Sequence, residues 1–356
     1  MDVSAISRVP KRVLLTTDAV GGVWRYTVDL VRGLARQGIN VLVASLGPRP
    51  SAGQRRQIMK ISGADLRESE FALEWMPNPW RDVEAAGEWL LELAQEFRAD
   101  LVHLNGYSHA ALPWNRPVLI TAHSCVCSWW RAVHGVEPGA EWDEYRRRVR
   151  QGLAASDAIT APSVSMAEAI TREYGIPASK IQVIYNFSRA RTYVSLSKQP
   201  RILAAGRLWD AGKNFQLLKR IADRLIWSLQ IASGWPHLQL QREMAQASIF
   251  AHPAFYEPFG LSVLEAARHR CALVLSDIPS LRELWDGAAL FLDPRDEQQW
   301  ILELNRLSSD PACCQLLGQA AHRRARTYSC SVALEQYRNL YAGLVQTRRQ
   351  AGATAA

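Results

Sequence analysis

The sequence predicts an α/β protein of two parallel-sheet domains, and three observations predict it. The first is a complete β-α-β unit near the start: an apolar strand from Arg12 to Thr16, a helix from about Tyr26 to Gln37 closed by Gly38, and a second strand from Val41 to Ser45. Units of this kind build parallel sheets. The second is a restart. After the polar, non-periodic stretch Ser188–Pro200, expected to be a linker, the strand Arg201–Ala205 opens a new round of alternating strands and helices. The third is length, because 356 residues suffice for two domains of ordinary size.

The remaining elements follow in order. Gly47–Gly63 reads as a loop with a short basic helix around Arg55, Arg56 and Lys60. A helix over Val83–Phe97 precedes the strands Asp100–Leu104 and Val118–His123, both ending in polar residues. A charged helix, Glu141–Leu153, leads to strand Ser156–Ala161, helix Ser163–Tyr174 and strand Ile181–Asn186, which completes a first domain over residues 1–190. The second domain, residues 200–328, continues with a strand near Trp227–Ala232, a turn at Gly234-Trp235-Pro236, helix Leu238–Ala247 and the buried strand Ser248–Ala251. Strands Ala272–Ser276 and Ala288–Leu292 flank a short helix around Leu281–Trp285, and closing helices follow. Residues 329–345 form an amphipathic helix with Tyr337, Leu340, Tyr341 and Leu344 on one side, and residues 346–356 read as a loose tail.

Composition limits the function classes. Apolar residues at 48% and charged residues at 21% are ordinary for a globular chain. A formal charge of +8 suits acidic small molecules or an anionic membrane surface. Without a dense basic run or an RNA-binding signature, nucleic acid is not an expected partner. The first residues hold no apolar core, so no signal peptide is expected, and six sparse cysteines fit a reduced, cytoplasmic chain. His123-Ser124-Cys125-Val126-Cys127 has no second ligand pair at zinc spacing, so no metal is expected there.

The chemistry gathers in loops at strand ends, where open α/β sheets bind ligands. Gly21 and Gly22 follow the first strand. Arg207 and Lys213 stand six positions apart across a glycine turn and can converge on one diphosphate, Arg as a planar fork and Lys as a point charge. Glu257 falls in a loop broken by Pro258 and Gly260, after which Leu261, Leu264 and Ala267 set a helical face. A helix that begins after a glycine offers unpaired N–H groups to a phosphate. Glu265, near its first turn, can accept two hydrogen bonds from a ribose diol. No Asp-x-Asp pair that could hold a catalytic metal occurs in the chain.

The element EPFGLSVLEA with its Glu-x7-Glu spacing, the GRL…GKN loop and the Gly-Gly loop resemble those of the retaining glycosyltransferases of the family 4, group 1 type, the glycogen-synthase-like and mannosyltransferase-like group. The resemblance implies a GT-B fold: two Rossmann-like domains facing across a cleft, the first for the acceptor and the second for a nucleotide sugar, with residues 329–345 crossing back to the first domain. It implies a nucleoside diphosphate sugar as donor substrate, no cofactor, and retention of anomeric configuration. It places His123 against the donor sugar and makes His123, Glu257, Arg207 and Lys213 the catalytic set. Gly21, Gly22, Gly260, Leu261 and Glu265 join Arg207, Lys213 and Glu257 in donor binding. Trp24, Trp129 and Trp130 follow cleft loops, so a carbohydrate or glycoconjugate acceptor is expected to stack on them. Membrane lipid ranks second as acceptor because of Arg55, Arg56 and Lys60, which would also give peripheral membrane contact.

The sequence departs from the family between Gly206 and Glu257, where only 50 residues intervene and the family has room for a further helix and strand. In a strand order 3-2-1-4-5-6 the missing strand is at the edge, so the central pairings survive. The rival reading is a non-catalytic GT-B binding or assembly module with an impaired donor site.

Overall fold

Val13 to Thr17 are all buried, as expected of a strand covered by helices on both faces of a parallel sheet. This strand, β1 (Arg12–Asp18), pairs with β2 (Asn40–Leu46), with Val13 opposite Val41. Beyond β2 lies β3 (Ala64–Glu68), while β4 (Leu101–Leu104), β5 (Val118–Thr121), β6 (Ala158–Ala161) and β7 (Ile181–Val183) extend the other side. The order is β3-β2-β1-β4-β5-β6-β7, parallel throughout. The helices of this half are α1 (Gly22–Arg36), α2 (Ala52–Met59), α3 (Trp80–Glu96), α4 (Val126–His134), α5 (Asp143–Ala155) and α6 (Val164–Tyr174). The computed structural model describes residues 9–190, 192–193 and 197–354. Residues 1–8, on which the signal-peptide expectation rests, part of the expected linker (191 and 194–196) and the last two tail residues lie outside these.

The second sheet contains β8 (Gln199–Ala205), β9 (Ser228–Ala232), β10 (Ala247–His252), β11 (Ala272–Ser276) and β12 (Leu290–Leu292), all parallel in the order β12-β11-β10-β8-β9. Its helices are α7 (Phe215–Ile221), α8 (His237–Gln246), α9 (Leu261–Arg268), α10 (Pro279–Trp285), α11 (Glu297–Ser309), α12 (Pro311–Ala325) and α13 (Cys330–Thr354). Among the described residues no strand lies outside β9, so the shortened span has removed the edge strand and left the centre paired.

Three elements differ from expectation. β3 was not foreseen, because Ala64-Asp65-Leu66-Arg67-Glu68 alternates between half-buried and exposed and carries no apolar run. α4 fills a stretch in which no element was expected: Cys125 caps it, its Sγ accepting from Ser128 N at 3.3 Å. The expected loose tail continues α13 to Thr354, in keeping with the good helix formers Gln346, Arg348, Arg349 and Gln350. Tyr337 and Tyr341 of α13 are buried against the first sheet; Tyr26 Oη donates to Tyr337 Oη at 2.6 Å, and Tyr341 Oη lies 2.7 Å from His103 Nδ1.

Side chains also tie the halves together across the cleft. Glu283 of α10 accepts from the first N–H groups of α6, Val164 N at 2.8 Å and Ser165 N at 2.9 Å. Ser163 Oγ donates to the Pro258 carbonyl at 2.7 Å, and Tyr256 Oη meets Ser128 Oγ at 2.8 Å.

Candidate active site

The C-terminal ends of β1, β5, β8 and β10 open on one cleft, and its cavity of about 580 Å³ collects residues far apart in sequence. Gly21 and Gly22 border it from β1, His123 from β5, Arg207 and Lys213 from β8, and Glu257, Gly260 and Leu261 from the loop after β10. A second compartment of about 450 Å³ adjoins it, sharing Gly21, His123, Trp129, Arg207, Trp209 and Asp210.

Glu257 is held by charge. Lys213 Nζ donates to its Oε2 at 2.8 Å, and His252 Nε2 lies 3.0 Å from the same oxygen. Burial opposes ionisation of this carboxyl, but Lys213 and His252 outweigh it and hold the group well below the usual carboxylate range. Gly260 follows at φ 84°, in the left-handed region that favours glycine, and a Cβ there would come 3.0 Å from Val263 Cγ2. α9 then starts without a side-chain cap at Gly260, and Leu261 and Ser262 of its first turn, where N–H groups have no intrahelical partner, line the cleft edge.

Arg207 reaches across from the second half to the first. Its Nη2 donates to Asp210 Oδ2 at 2.7 Å, and a Cβ built on Gly21 would lie 2.3 Å from its Nη1. The Gly-Gly loop therefore leaves passage for this guanidinium. Asp210 Oδ1 accepts from Gly212 N and from Trp129 Nε1, each at 3.0 Å, which fixes α4 against the Arg207–Lys213 loop. Burial disfavours the Asp210 anion, yet Lys213 and Arg207 keep it below its ordinary value.

His123 lines both compartments with Nε2 2.9 Å from Asn105 Oδ1. Asn105 Nδ2 donates to the Thr16 carbonyl at 2.7 Å, which orients the amide so that Oδ1 accepts from His123. Nε2 therefore carries the proton and Nδ1 is left as an acceptor. Burial lowers the imidazole to about 3, so it is neutral at physiological pH.

Residues 20–188 match the model of Glycosyltransferase Family 4, and residues 188–324 that of Glycosyl transferases group 1. The chain belongs to the family 4, group 1 glycosyltransferases. This glycosyltransferase is 25% identical over 370 residues to glycogen synthase of Mycobacterium tuberculosis (strain CDC 1551 / Oshkosh), with 86% of each chain covered. Its fold is similar to that of sucrose-phosphate synthase from Thermosynechococcus elongatus, at a TM-score of 0.78 and 16% identity, covering 95% of this chain and all of that one. It is similar also to Anabaena HepE solved with UDP and glucose, at a TM-score of 0.73 and 13% identity over 94% of this chain and 100% of that one. The fold is GT-B, and the protein is an enzyme.

Two expected site residues of the glycosyltransferase lie elsewhere. Trp24 is 4% exposed and packs in the core of the first half, with Nε1 donating to Gln57 Oε1 at 3.2 Å. The turn of α1 that presents Gly22 and Val23 to the cleft rotates the next side chain away from it. Glu265 is on α9 as expected but only 3% exposed, and it does not line the cavity. Trp129 and Trp130 do line the second compartment, where Trp130 and Trp142 meet tilted by 57° with ring centres 6.2 Å apart. Arg55 is half-buried and tied to Glu68 at 2.7 and 2.9 Å, so of the three cations expected on the basic helix Arg56 and Lys60 are the exposed ones.

Sequence reasoning passed over Asp18, Asn105, Trp209, Asp210 and His252. Asp18 ends β1 directly before the glycine loop, and Asp210 sits inside the Arg207–Lys213 loop, so both were signalled by position. Burial pushes the Asp18 carboxyl above its usual value, opposed by the Val20 N–H and by Arg207.

Proposed function

We propose that this glycosyltransferase moves a sugar from a nucleoside diphosphate sugar to a carbohydrate or glycoconjugate acceptor, with retention at the anomeric carbon and without a metal ion. One observation carries the reading: Arg207, Lys213 and the uncapped start of α9 converge on the cleft beside Glu257. When the anomeric C–O bond breaks, its electron pair stays on the diphosphate. Two cations and fixed N–H groups stand where that charge would grow. The acceptor oxygen bonds to the anomeric carbon and passes its proton to the departing phosphate oxygen, so no separate base is needed. Nδ1 of neutral His123 can accept from a sugar hydroxyl.

The donor class is supported by the likeness to HepE, a protein solved with UDP and glucose. Metal independence is supported by Arg207 and Lys213, two cations at the cleft able to neutralise the leaving charge. The aromatic wall of Trp129, Trp130 and Trp142 supports a sugar acceptor, whose apolar ring face stacks on such surfaces. No helix among the described residues is long and apolar enough to cross a membrane. Exposed Arg56, Met59 and Lys60 support peripheral contact with an anionic surface.

Transfer from UDP-, ADP- and GDP-sugars to oligosaccharides tests the reading. We expect turnover to persist in excess chelator, and Lys213→Ala to reduce kcat more than it raises KM. Activity abolished by chelation and restored by manganese or magnesium would sink the metal-free account.

A further inference from the structure

The shortened span between β8 and Glu257 has a chemical consequence at Glu265. After β9 the chain makes the turn Ser233-Gly234-Trp235-Pro236 and enters α8 at once, which sets His237 and Gln241, one helical turn apart, on the face toward α9. His237 Nε2 lies 3.1 and 3.2 Å from the two Glu265 oxygens, and Gln241 Nε2 donates to Oε2 at 2.6 Å. From the other side Ser188 Oγ donates to Oε1 at 2.8 Å, with Arg25 Nε 3.9 Å away.

A carboxylate offers about four lone-pair sites, and a ribose diol would need two of them. Here donors from α8 and from Ser188 already engage both oxygens. Gln241 and Ser188 are each 2% exposed and so are packed in place against the carboxylate, while His237 is half-buried and covers it from the solvent side. The cavity wall ends at Leu261 and Ser262, with Trp235 and Leu240 on the facing side, and does not reach Glu265.

We propose that His237 and Gln241 take the place of the ribose hydroxyls at Glu265, so that donor recognition in this enzyme is indifferent to the 2′- and 3′-hydroxyls of the nucleotide. The inference rests on the nucleoside diphosphate sugar reading above. Affinity then comes from the diphosphate contacts of Arg207, Lys213 and the α9 N-terminus and from packing of the nucleoside against Trp235 and Leu240. Glu265 acts as a positioning residue that anchors α8 to α9.

Calorimetric titration of the wild-type chain with UDP, ADP and GDP and with their 2′,3′-dideoxy counterparts tests this. For whichever base binds, the two forms should agree within about twofold, since no charged hydrogen bond is lost. A preference of about tenfold or more for the ribonucleotide, the size expected for loss of such a bond, overturns the proposal. Failure of every nucleotide to bind would instead overturn the donor reading and this inference with it. The double variant His237→Ala/Gln241→Ala supplies the converse: with Glu265 released, the folded variant should gain a ribonucleotide preference of about tenfold. Continued indifference in that variant would show that Glu265 is not within reach of the ribose, and would overturn the substitution of His237 and Gln241 for it.

Discussion

Gly21→Ala puts the geometry of the cleft to its sharpest test. A Cβ at this position would stand 2.3 Å from Arg207 Nη1 and 3.5 Å from its Cζ, far inside contact distance. Gly21 has φ −157°, outside the left-handed region, so alanine meets no positive-φ penalty. The clash falls on the free end of a long side chain, so the guanidinium moves and the fold stays. Thermal stability should change by no more than about 0.5 kcal/mol, as for other surface changes. Catalysis should not escape. If Arg207 stabilises charge on the leaving diphosphate, its displacement removes a charged contact of about 1.5–3 kcal/mol, or about 10- to 150-fold in kcat/KM. Steady-state kinetics on the preferred donor measures this. In an Arg207→Ala background the same glycine change should cost almost nothing, because its effect passes through the missing side chain. A folded Gly21→Ala enzyme with unchanged kcat/KM, or losses that add in the double variant, would refute the reasoning.

The other expectations are simpler. His103 is fully buried, and burial, with a smaller effect of His123, lowers it to about 3. Its folded value lies below the unfolded value of about 6.5, so the unfolded chain takes the proton first and stability falls as pH drops from about 6.5 toward 3, by about 1.4 kcal/mol per pH unit. His103→Gln should flatten the dependence of Tm on pH between 4 and 6, and an unchanged slope would count against this assignment. Trp24→Ala should cost about 3–5 kcal/mol of stability, as for a large buried side chain, and leave the acceptor KM unchanged. Trp209, 65% exposed and 5.1 Å from the Arg207 guanidinium, should behave the opposite way: Trp209→Ala keeps Tm and raises the acceptor KM. Fluorescence titration with oligosaccharides alongside thermal melts separates the two, and equal loss of stability would overturn the contrast.

The pattern of these expectations follows from what local sequence can encode. Parallel strands buried on both faces appear as apolar runs, and all of them deliver their C-terminal ends to one side. The apolar runs Val13–Leu15, Val118–Ile120, Ile202–Ala205 and Ser248–Ala251 therefore send the loops that follow them, with Gly21, Gly22, His123, Arg207, Lys213 and Glu257, to a common cleft. β3 escaped because an edge strand with one wet side has no such run. α4 escaped because its capping residue, Cys125, is not a usual cap, and without the cap Trp129 and Trp130 look like loop residues.

Glu265 shows the deeper limit. Its place on α9 was legible from the spacing to Glu257, but its chemistry depends on which donors surround it, and those come from Ser188, His237, Gln241 and Arg25 on other elements. None of these residues is marked by a motif. The same 50-residue interval that announced a missing edge strand also dictated that α8 follow β9 without delay, and hence that His237 meet α9. A deletion that costs the sheet only an edge thus acts on the ligand site through helix placement, because the edge strand is expendable for pairing while the volume it vacates must still be filled.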